Sequence, residues 1–519
     1  MFNLAKNKGV NRNTTHSIHD NSENVITIDQ QTANHIDNNN LTFRISGDHS
    51  FDNESLLSGS YYYNNNNINK DNENKTKSDF TEYLMNSNNK GDGDQHLHNF
   101  HLEYVSKKGI RVGGDYTIFK DANHNKFKDY IDQAKHNDFH NNSRQHIHRR
   151  LLYANYDYSF SKSWDISTGV NAGINNSKSD ISYLYKEDDQ YFENKDMHIY
   201  GKQNEIFTSF HLESNHEISE VLSFDVGFQI EYYNSDYTNN GIKKNLWNDW
   251  SLFPSFSIQY AFPNKNYLNL SLSSDKVYPS YWAINPQTTH TDSYMEITGN
   301  PYLKPSKVFD TNLMFMMKNK YSIMAFLTYR PDYFTQMPYQ DKEKLKIIYQ
   351  FHNFDYDLKF GIGTVIPFNI GKFWNSRFTI NGINIRQKIN NFNGSVIDRN
   401  KYAYVAFWNN TLRINSKVNF QINSVYQSKS IQGVYDLGHM CNINTALRWT
   451  ASKNMYLLLE YRNIFKHSSP SPTIIDWGNQ YSKRENKEYS NILLTISWNF
   501  GDYKQKRIQN IDTKRFQRQ

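Results

Sequence analysis

The sequence predicts an all-β fold, specifically a large antiparallel transmembrane β-barrel, and three observations carry that expectation. The first is the stretch 489–500, where Ile492, Leu494, Ile496, Trp498 and Phe500 alternate with Asn491, Leu493, Thr495, Ser497 and Asn499. A period of two gives a strand with one oily and one largely polar face, and its length matches the roughly 9–11 residues of a tilted spanning strand. The second is composition: 15% of the 519 residues are aromatic, with 38 Tyr and 33 Phe against 11 Pro, which is strand chemistry. The third is a rhythm of strand, short turn, strand and long polar segment, repeated along the chain.

The same totals exclude other classes. Mean hydropathy is strongly negative, which suits a barrel because only alternate strand residues meet lipid. No apolar run approaches the roughly 20 residues of a spanning helix. The net charge of +6 is small and its basic residues are dispersed, so no nucleic-acid partner is expected. The single cysteine, Cys441, rules out an intramolecular disulfide and multi-cysteine metal sites. The first residues lack the apolar stretch and cleavage site of a secretory leader.

Residues 1–40, rich in Asn, Asp, His and Thr, are expected to form a long polar loop with truncated first strands, of which 2–6 is a remnant. From Leu41 the alternation Leu41, Phe43, Ile45 leads past Asp52-Asn53 into Leu57, Gly59, Tyr61 and Tyr63, a hairpin. A polar loop is expected over about 64–95, then strands near 96–105 and 109–119. Further strand pairs follow near 149–160 and 163–175, 204–216 and 220–233, 249–262 and 266–274, 307–318 and 320–330. Others fall near 347–368 and 375–389, 401–415 and 417–428, 437–450 and 453–465, before the closing strand. In 220–233, Leu222, Phe224, Val226, Phe228 and Ile230 are expected to face lipid, while Asp225, Gln229 and Glu231 face a lumen.

About 19 strands and the remnant thus make a barrel over 41–500, followed by a periplasmic tail over 501–519, in the cell outer membrane with lipid as a partner; the closing strand is expected to pair with 453–465 on one side and with the first surviving strand region, 41–49, on the other. A soluble all-β protein has no reason for loops long at one end only. Nor does it place Asp115, Asp225, Glu460 and Arg462 in mid-strand, where a wet lumen accepts them.

Two stretches carry a family resemblance. Residues 278–286 read Tyr-Pro-Ser-Tyr-Trp-Ala-Ile-Asn-Pro, and 299–306 read Gly-Asn-Pro-Tyr-Leu-Lys-Pro-Ser. Through Asn300, Pro301, Leu303, Lys304 and Pro305, this resembles a segment of TonB-dependent receptors, although Ser306 stands where Glu is usual. The end, Trp498-Asn-Phe-Gly-Asp-Tyr-Lys-Gln-Lys with Asp512-Thr-Lys-Arg-Phe516, is similar to the terminus of the outer membrane protein β-barrel family of Bacteroidetes-type bacteria. The resemblance spans roughly residues 20–519 and implies a barrel of about 22 strands around a plug, driven through TonB. It makes Leu41 the start of the fourth strand. The expected chain is therefore the C-terminal barrel portion of a receptor, a fragment lacking signal peptide, TonB box and plug, with TonB reached only through a missing plug or upstream chain.

Chemistry-bearing clusters are sparse. His96, His98, His101, His136, His140, His146 and His148 are read as a polar, exposed histidine-rich region. His136 and His140 would share a face if 127–135 were helical, but no carboxylate or cysteine is fixed beside them, so no metal ligand is assigned. Glu187, Asp188 and Asp189 lack the oxygen-rich turn that Ca²⁺ requires. No phosphate loop, nucleophile elbow or Cys–His pair occurs, so no enzyme, catalytic residue or cofactor is expected. Asn300, Pro301 and Pro305 are expected to shape a loop, and the basic tail from Lys504 to Arg518 to be a solvated end. The expected function is the barrel of a receptor or transporter for a bulky nutrient such as an iron chelate, oligosaccharide or peptide. The alternatives are a surface-exposed adhesion or structural barrel and a soluble all-β binding protein.

Overall fold

The computed structural model describes residues 2–20, 25–79, 84–292, 294–341, 346–477, 480–498, 511 and 513–516. Alternating side chains and antiparallel ladders build one 25-stranded sheet and a separate four-stranded one. Five short strands of the large sheet, Gln190–Glu193, Ser430–Gln432, Tyr435–Leu437, Pro472–Trp477 and Gln480–Lys487, lie at hairpin ends. The other 20 form the wall, running from Phe2–Asp20 and Val25–Ser50 to Met455–Arg462 and Asn491–Trp498. Each wall strand is antiparallel to the next.

The period-two pattern decides which face meets which medium. Val226 and Ile230 are exposed outward, and Glu231 and Tyr233 turn inward. On the closing strand Ile492, Leu494, Ile496 and Trp498 are 76%, 57%, 60% and 62% exposed, an apolar belt that water would not tolerate and lipid accepts. Phe500 and Asn499 lie outside the described residues.

Several expectations are corrected. The polar stretch 1–40 is strand over 2–20 and again from Val25, so Leu41 falls in mid-strand. The stretch 64–95 lies mostly in Leu56–Ser78 and Leu84–Val105, and Ala134–Ser161 reaches 28 residues, far beyond a bilayer's needs. Such walls rise well clear of the membrane, held by backbone ladders and polar cross-strand pairs. Examples are Asn65 to Asp94 at 3.0 Å, Asn88 to Asp71 at 2.8 Å and Asn176 to Asn204 at 2.9 Å. Residues 127–135 are strand and turn, with no helix to align His136 and His140. Where these tall hairpins turn, Asn240-Gly241 and Asn393-Gly394 take positive φ at both positions, the mirror-image turn that matches strand twist.

Closure also differs from expectation. Asn491–Trp498 pairs with Met455–Arg462, as expected, but among the described residues it has no ladder to 41–49: residues 41–43 lie between Phe2–Asp20 and Leu56–Ser78, and 44–49 pair with Leu56–Ser78 alone. The ring is joined higher up, where Gln480–Lys487 pairs with Arg12–His19. Among the described residues Asn491–Trp498 has no ladder to the first strand. A groove of about 1030 Å³ opens at that seam, lined by Lys8, Arg12, Asp37, Asp71, Lys90 and Tyr489.

The four-stranded sheet comes from two loops on the tall side, in the spatial order Thr288–Asp292, Met295–Thr298, Lys346–Asn353, Phe334–Asp341. Its central pair is parallel and the outer pairs antiparallel. It reaches the opposite wall, where Tyr183 donates to the Thr288 carbonyl and Asn89 to the His290 carbonyl at 3.0 Å. Phe139 meets the His290 ring at 4.8 Å. The sheet therefore spans the mouth as a lid.

Candidate luminal site

Parity places the site. Ile206 is exposed outward, so Glu205 on the strand Ile199–Ser219 points into the lumen, where it is fully buried. Its Oε2 accepts from Asn175 at 3.0 Å, Tyr233 at 2.7 Å and Tyr281 at 2.7 Å. Its Oε1 accepts from Gln203 at 2.8 Å and Ser235 at 3.4 Å. An ionised carboxylate deprived of water requires such a donor shell.

The remaining donors come from the chain terminus. Arg515 grips Glu205 with both Nη atoms, Nη1 to Oε2 and Nη2 to Oε1, each at 2.9 Å. Its Nη1 also lies 2.7 Å from Tyr233 Oη, and its Nε donates to the Pro279 carbonyl at 3.0 Å. The guanidinium sits over the ring of Tyr281 at 4.5 Å and near Tyr278 at 5.3 Å and Trp247 at 5.8 Å. This bidentate, aromatic-walled geometry fits a planar guanidinium and not an ammonium. Phe516 stacks on Phe119 and Tyr281, 5.7 and 6.3 Å away, beside Leu97 and Ile147. The tail expected to be a solvated periplasmic end thus has Arg515 and Phe516 inside the lumen, because a carboxylate and an apolar patch await them there.

The family-motif segment supplies the other half of this socket. Ser280 caps the short helix Tyr281–Ile284, whose Tyr281, Ala283 and Ile284 are buried, and Tyr278 donates to Glu231 at 2.6 Å. Gly299 must be glycine, since a Cβ there would stand 1.8 Å from the Asn285 carbonyl oxygen. Asn300 donates through its backbone N–H to the Ala283 carbonyl at 2.6 Å and through its side chain to the Phe351 carbonyl at 2.8 Å. The Leu303 carbonyl accepts from Trp247 at 3.0 Å, and the Lys304 N–H donates to Asn353 at 2.9 Å. Asn300, Leu303 and Lys304 thereby join helix, lid and wall; Pro301 and Pro305 flank Leu303 and Lys304 in the loop entering Ser306–Met317.

The histidines are dispersed along strands. His96 meets Tyr63 at 3.0 Å and Asp94 at 2.9 Å, His98 meets Tyr61 at 2.9 Å, and His101 meets Asp115 at 3.2 Å. His148 meets Tyr116 at 2.9 Å, and His140 stacks on Tyr191. Among the described residues no three His, Cys, Asp or Glu side chains converge as metal ligands. Asp188 and Asp189 occupy a tight positive-φ turn, with Asp189 paired to Lys186 at 2.6 Å. Sequence reasoning missed Glu205 and Arg515. The available signal was an aromatic, Phe516, set beside the basic residues of the tail.

On the lid, Glu296 pairs with Lys346 and with His290 at 3.1 Å. Burial opposes its ionisation, but those partners win and hold its carboxyl down at about 2. Burial pushes the His352 imidazole down to about 4.

A model of the family described as outer membrane protein beta-barrel matches residues 105–500. Among solved structures, the copper transporter OprC is 9% identical, with 93% of this chain and 80% of that one covered and a TM-score of 0.54. The ferripyoverdine receptor of the outer membrane of Pseudomonas aeruginosa is 9% identical, covering 92% and 72%, at 0.51. The alcaligin outer membrane receptor FauA of Bordetella pertussis is 11% identical, covering 92% and 76%, at 0.50. Likeness at such identity is likeness of fold. A comparison with curated protein sequences returns no match.

Proposed function

Because the chain belongs to the outer membrane protein beta-barrel family and resides in the outer membrane, we propose that it is the barrel of a TonB-dependent receptor for a bulky nutrient. The ligand classes this reading admits are an iron chelate, an oligosaccharide and a peptide. The observation that carries the reading is the lid: two loops of the tall side fold inward as a sheet that reaches across the mouth and docks on the far wall. A structural barrel has no need of a closable mouth, whereas a receptor does. TonB acts through a plug in such receptors, so energised uptake by this reading requires a plug beside these wall strands.

Displaying the protein in an outer membrane and following entry of large polar solutes tests this. Without a plug, entry is expected to be indifferent to TonB and membrane potential, and to rise when the lid strands Phe334–Asp341 and Lys346–Asn353 are replaced by a short linker. Accumulation of a ligand that depends on TonB in this chain alone would refute the plug requirement. An unchanged permeability on lid removal would refute the gated lumen.

One observation favours a second reading, a surface-exposed adhesion barrel. Walls of up to 28 residues raise an Asn- and His-rich surface far above the bilayer. Loss of cell adhesion on trimming those hairpins, with permeability unchanged, would select it.

A further inference from the structure

We propose that the socket built on Glu205 is a binding site for an arginine-plus-aromatic peptide segment, and that the chain's own Arg515-Phe516 occupies it as a removable internal stopper. The inference goes beyond the transport reading and holds whatever nutrient the barrel passes.

Three features point to removability. First, the socket is built without its occupant: Asn175, Gln203, Tyr233 and Ser235 on the wall and Tyr281 on the loop helix all donate to Glu205, so the carboxylate keeps neutral donors when the guanidinium leaves. Second, the occupant is held by side chains and few backbone bonds. Besides the Arg515 guanidinium and the Phe516 stack, a backbone tie between the described tail residues and the socket runs from the Tyr281 N–H to the Arg515 carbonyl at 3.2 Å. No strand ladder fixes Thr513–Phe516, whereas every wall strand has one. Third, recognition is two-point. A bidentate carboxylate with three aromatic faces selects guanidinium, and the adjoining Phe119, Leu97 and Ile147 patch selects a neighbouring aromatic.

The position makes the contact consequential. Arg515 and Phe516 bridge the inner wall at Glu205 and Phe119 to the helix Tyr281–Ile284, which is itself continuous with the lid. With the tail docked, lid segment and wall are tied together inside the lumen. With it gone, helix and wall keep their direct bonds from Tyr281 to Glu205 and from Tyr278 to Glu231, while the Arg515 and Phe516 side chains no longer fill the lumen at that level.

The test uses the full chain in planar bilayers and in detergent. A variant ending at residue 510 is expected to conduct several-fold more than the full chain, and a peptide of residues 511–519 should return it toward the full-chain level. The same peptide with Arg replaced by Ala at position 515 should not, and Glu205→Gln should blunt the block. In parallel, trypsin cleavage at Lys514 and Arg515 of the intact protein should be slow and should accelerate when an excess of 511–519 peptide, made trypsin-resistant by N-methylation of the bonds after Lys514, Arg515 and Arg518, competes for the socket. The second readout needs no variant to fold. Equal conductance of full and shortened chains, block that ignores the arginine, or cleavage indifferent to peptide would each overturn the proposal. None of these outcomes bears on TonB dependence, so failure here leaves the transport reading standing.

Discussion

At the scale of single residues the lid carries its own pH response. His352 is half-buried against Phe392 and Tyr339, with ring centroids 5.1 and 6.0 Å away, and holds a folded value of about 4, below the ordinary 6.5. A group whose charged form is disfavoured when docked binds more protons once released, so docking weakens as pH falls from about 6.5 toward 4 and then levels off. Glu296, depressed to about 2 from 4.5, contributes fully above 4.5 and loses its contribution as pH falls toward 2. Acid is therefore expected to loosen the lid in two steps, read as proteolysis within Phe334–Asp341 across the pH range. His352→Phe should abolish the upper step alone; persistence of both steps would show that the imidazole is not the sensor. At Gly299 the backbone oxygen of Asn285 cannot retreat like a flexible side chain, so Gly299→Ala is expected to cost about 1–3 kcal/mol or more. Lower thermal stability with an intact wall would register it.

At the scale of elements the alternation is what the sequence displayed most openly. Leu222, Phe224, Val226, Phe228 and Ile230 could be read as one face because period two survives any uncertainty in strand ends. Arg at a mid-membrane lipid position costs about 2–4 kcal/mol in such barrels and much less in a lumen. Val226→Arg is therefore expected to impair folding into lipid far more than Gln229→Arg; equal tolerance would count against the lipid face. Gly227 makes a poor lumen control, since a Cβ there would lie 2.7 Å from Ser255 Oγ and 3.2 Å from the Leu212 carbonyl oxygen. What could not be read were strands without apolar alternation. Residues 64–78 are Asn-rich and read as loop by composition, yet a ladder in water asks only for paired backbone and polar neighbours. The Glu205–Arg515 contact was hidden for a different reason: its partners lie 310 residues apart, and Phe516 beside the tail's basic residues marks the tail as sticky without pointing to Glu205.

At the scale of the whole molecule the weak point is the seam. An unpaired strand edge in lipid leaves each backbone group short of a partner by several kcal/mol, which is why barrels close. Here the first strand is tied to Gln480–Lys487 over Arg12–His19, with Arg12 also donating to Tyr489 at 3.1 Å. Below that level the strand carries Lys6 and Lys8, and Lys8 pairs with Asp37 at 2.8 Å, a charged edge of the kind that discourages strand addition. Continuing the upper register downward would set Ala5 against Leu494, a ladder absent among the described residues. Cysteine pairs separate the two halves, with Cys441 first replaced by Ser. Thr14→Cys with Glu485→Cys are direct partners and should crosslink readily, since opposed Cβ atoms lie about 4.5–5.5 Å apart, near disulfide reach. Ala5→Cys with Leu494→Cys should crosslink at least tenfold more slowly. Residues 41–43, within the stretch expected to meet the closing strand, should not crosslink to it at all, because both their edges are taken. Equal rates at the upper and lower pairs would mean that the ladder runs to the bottom of the wall and that the groove beside Lys8 closes in the membrane.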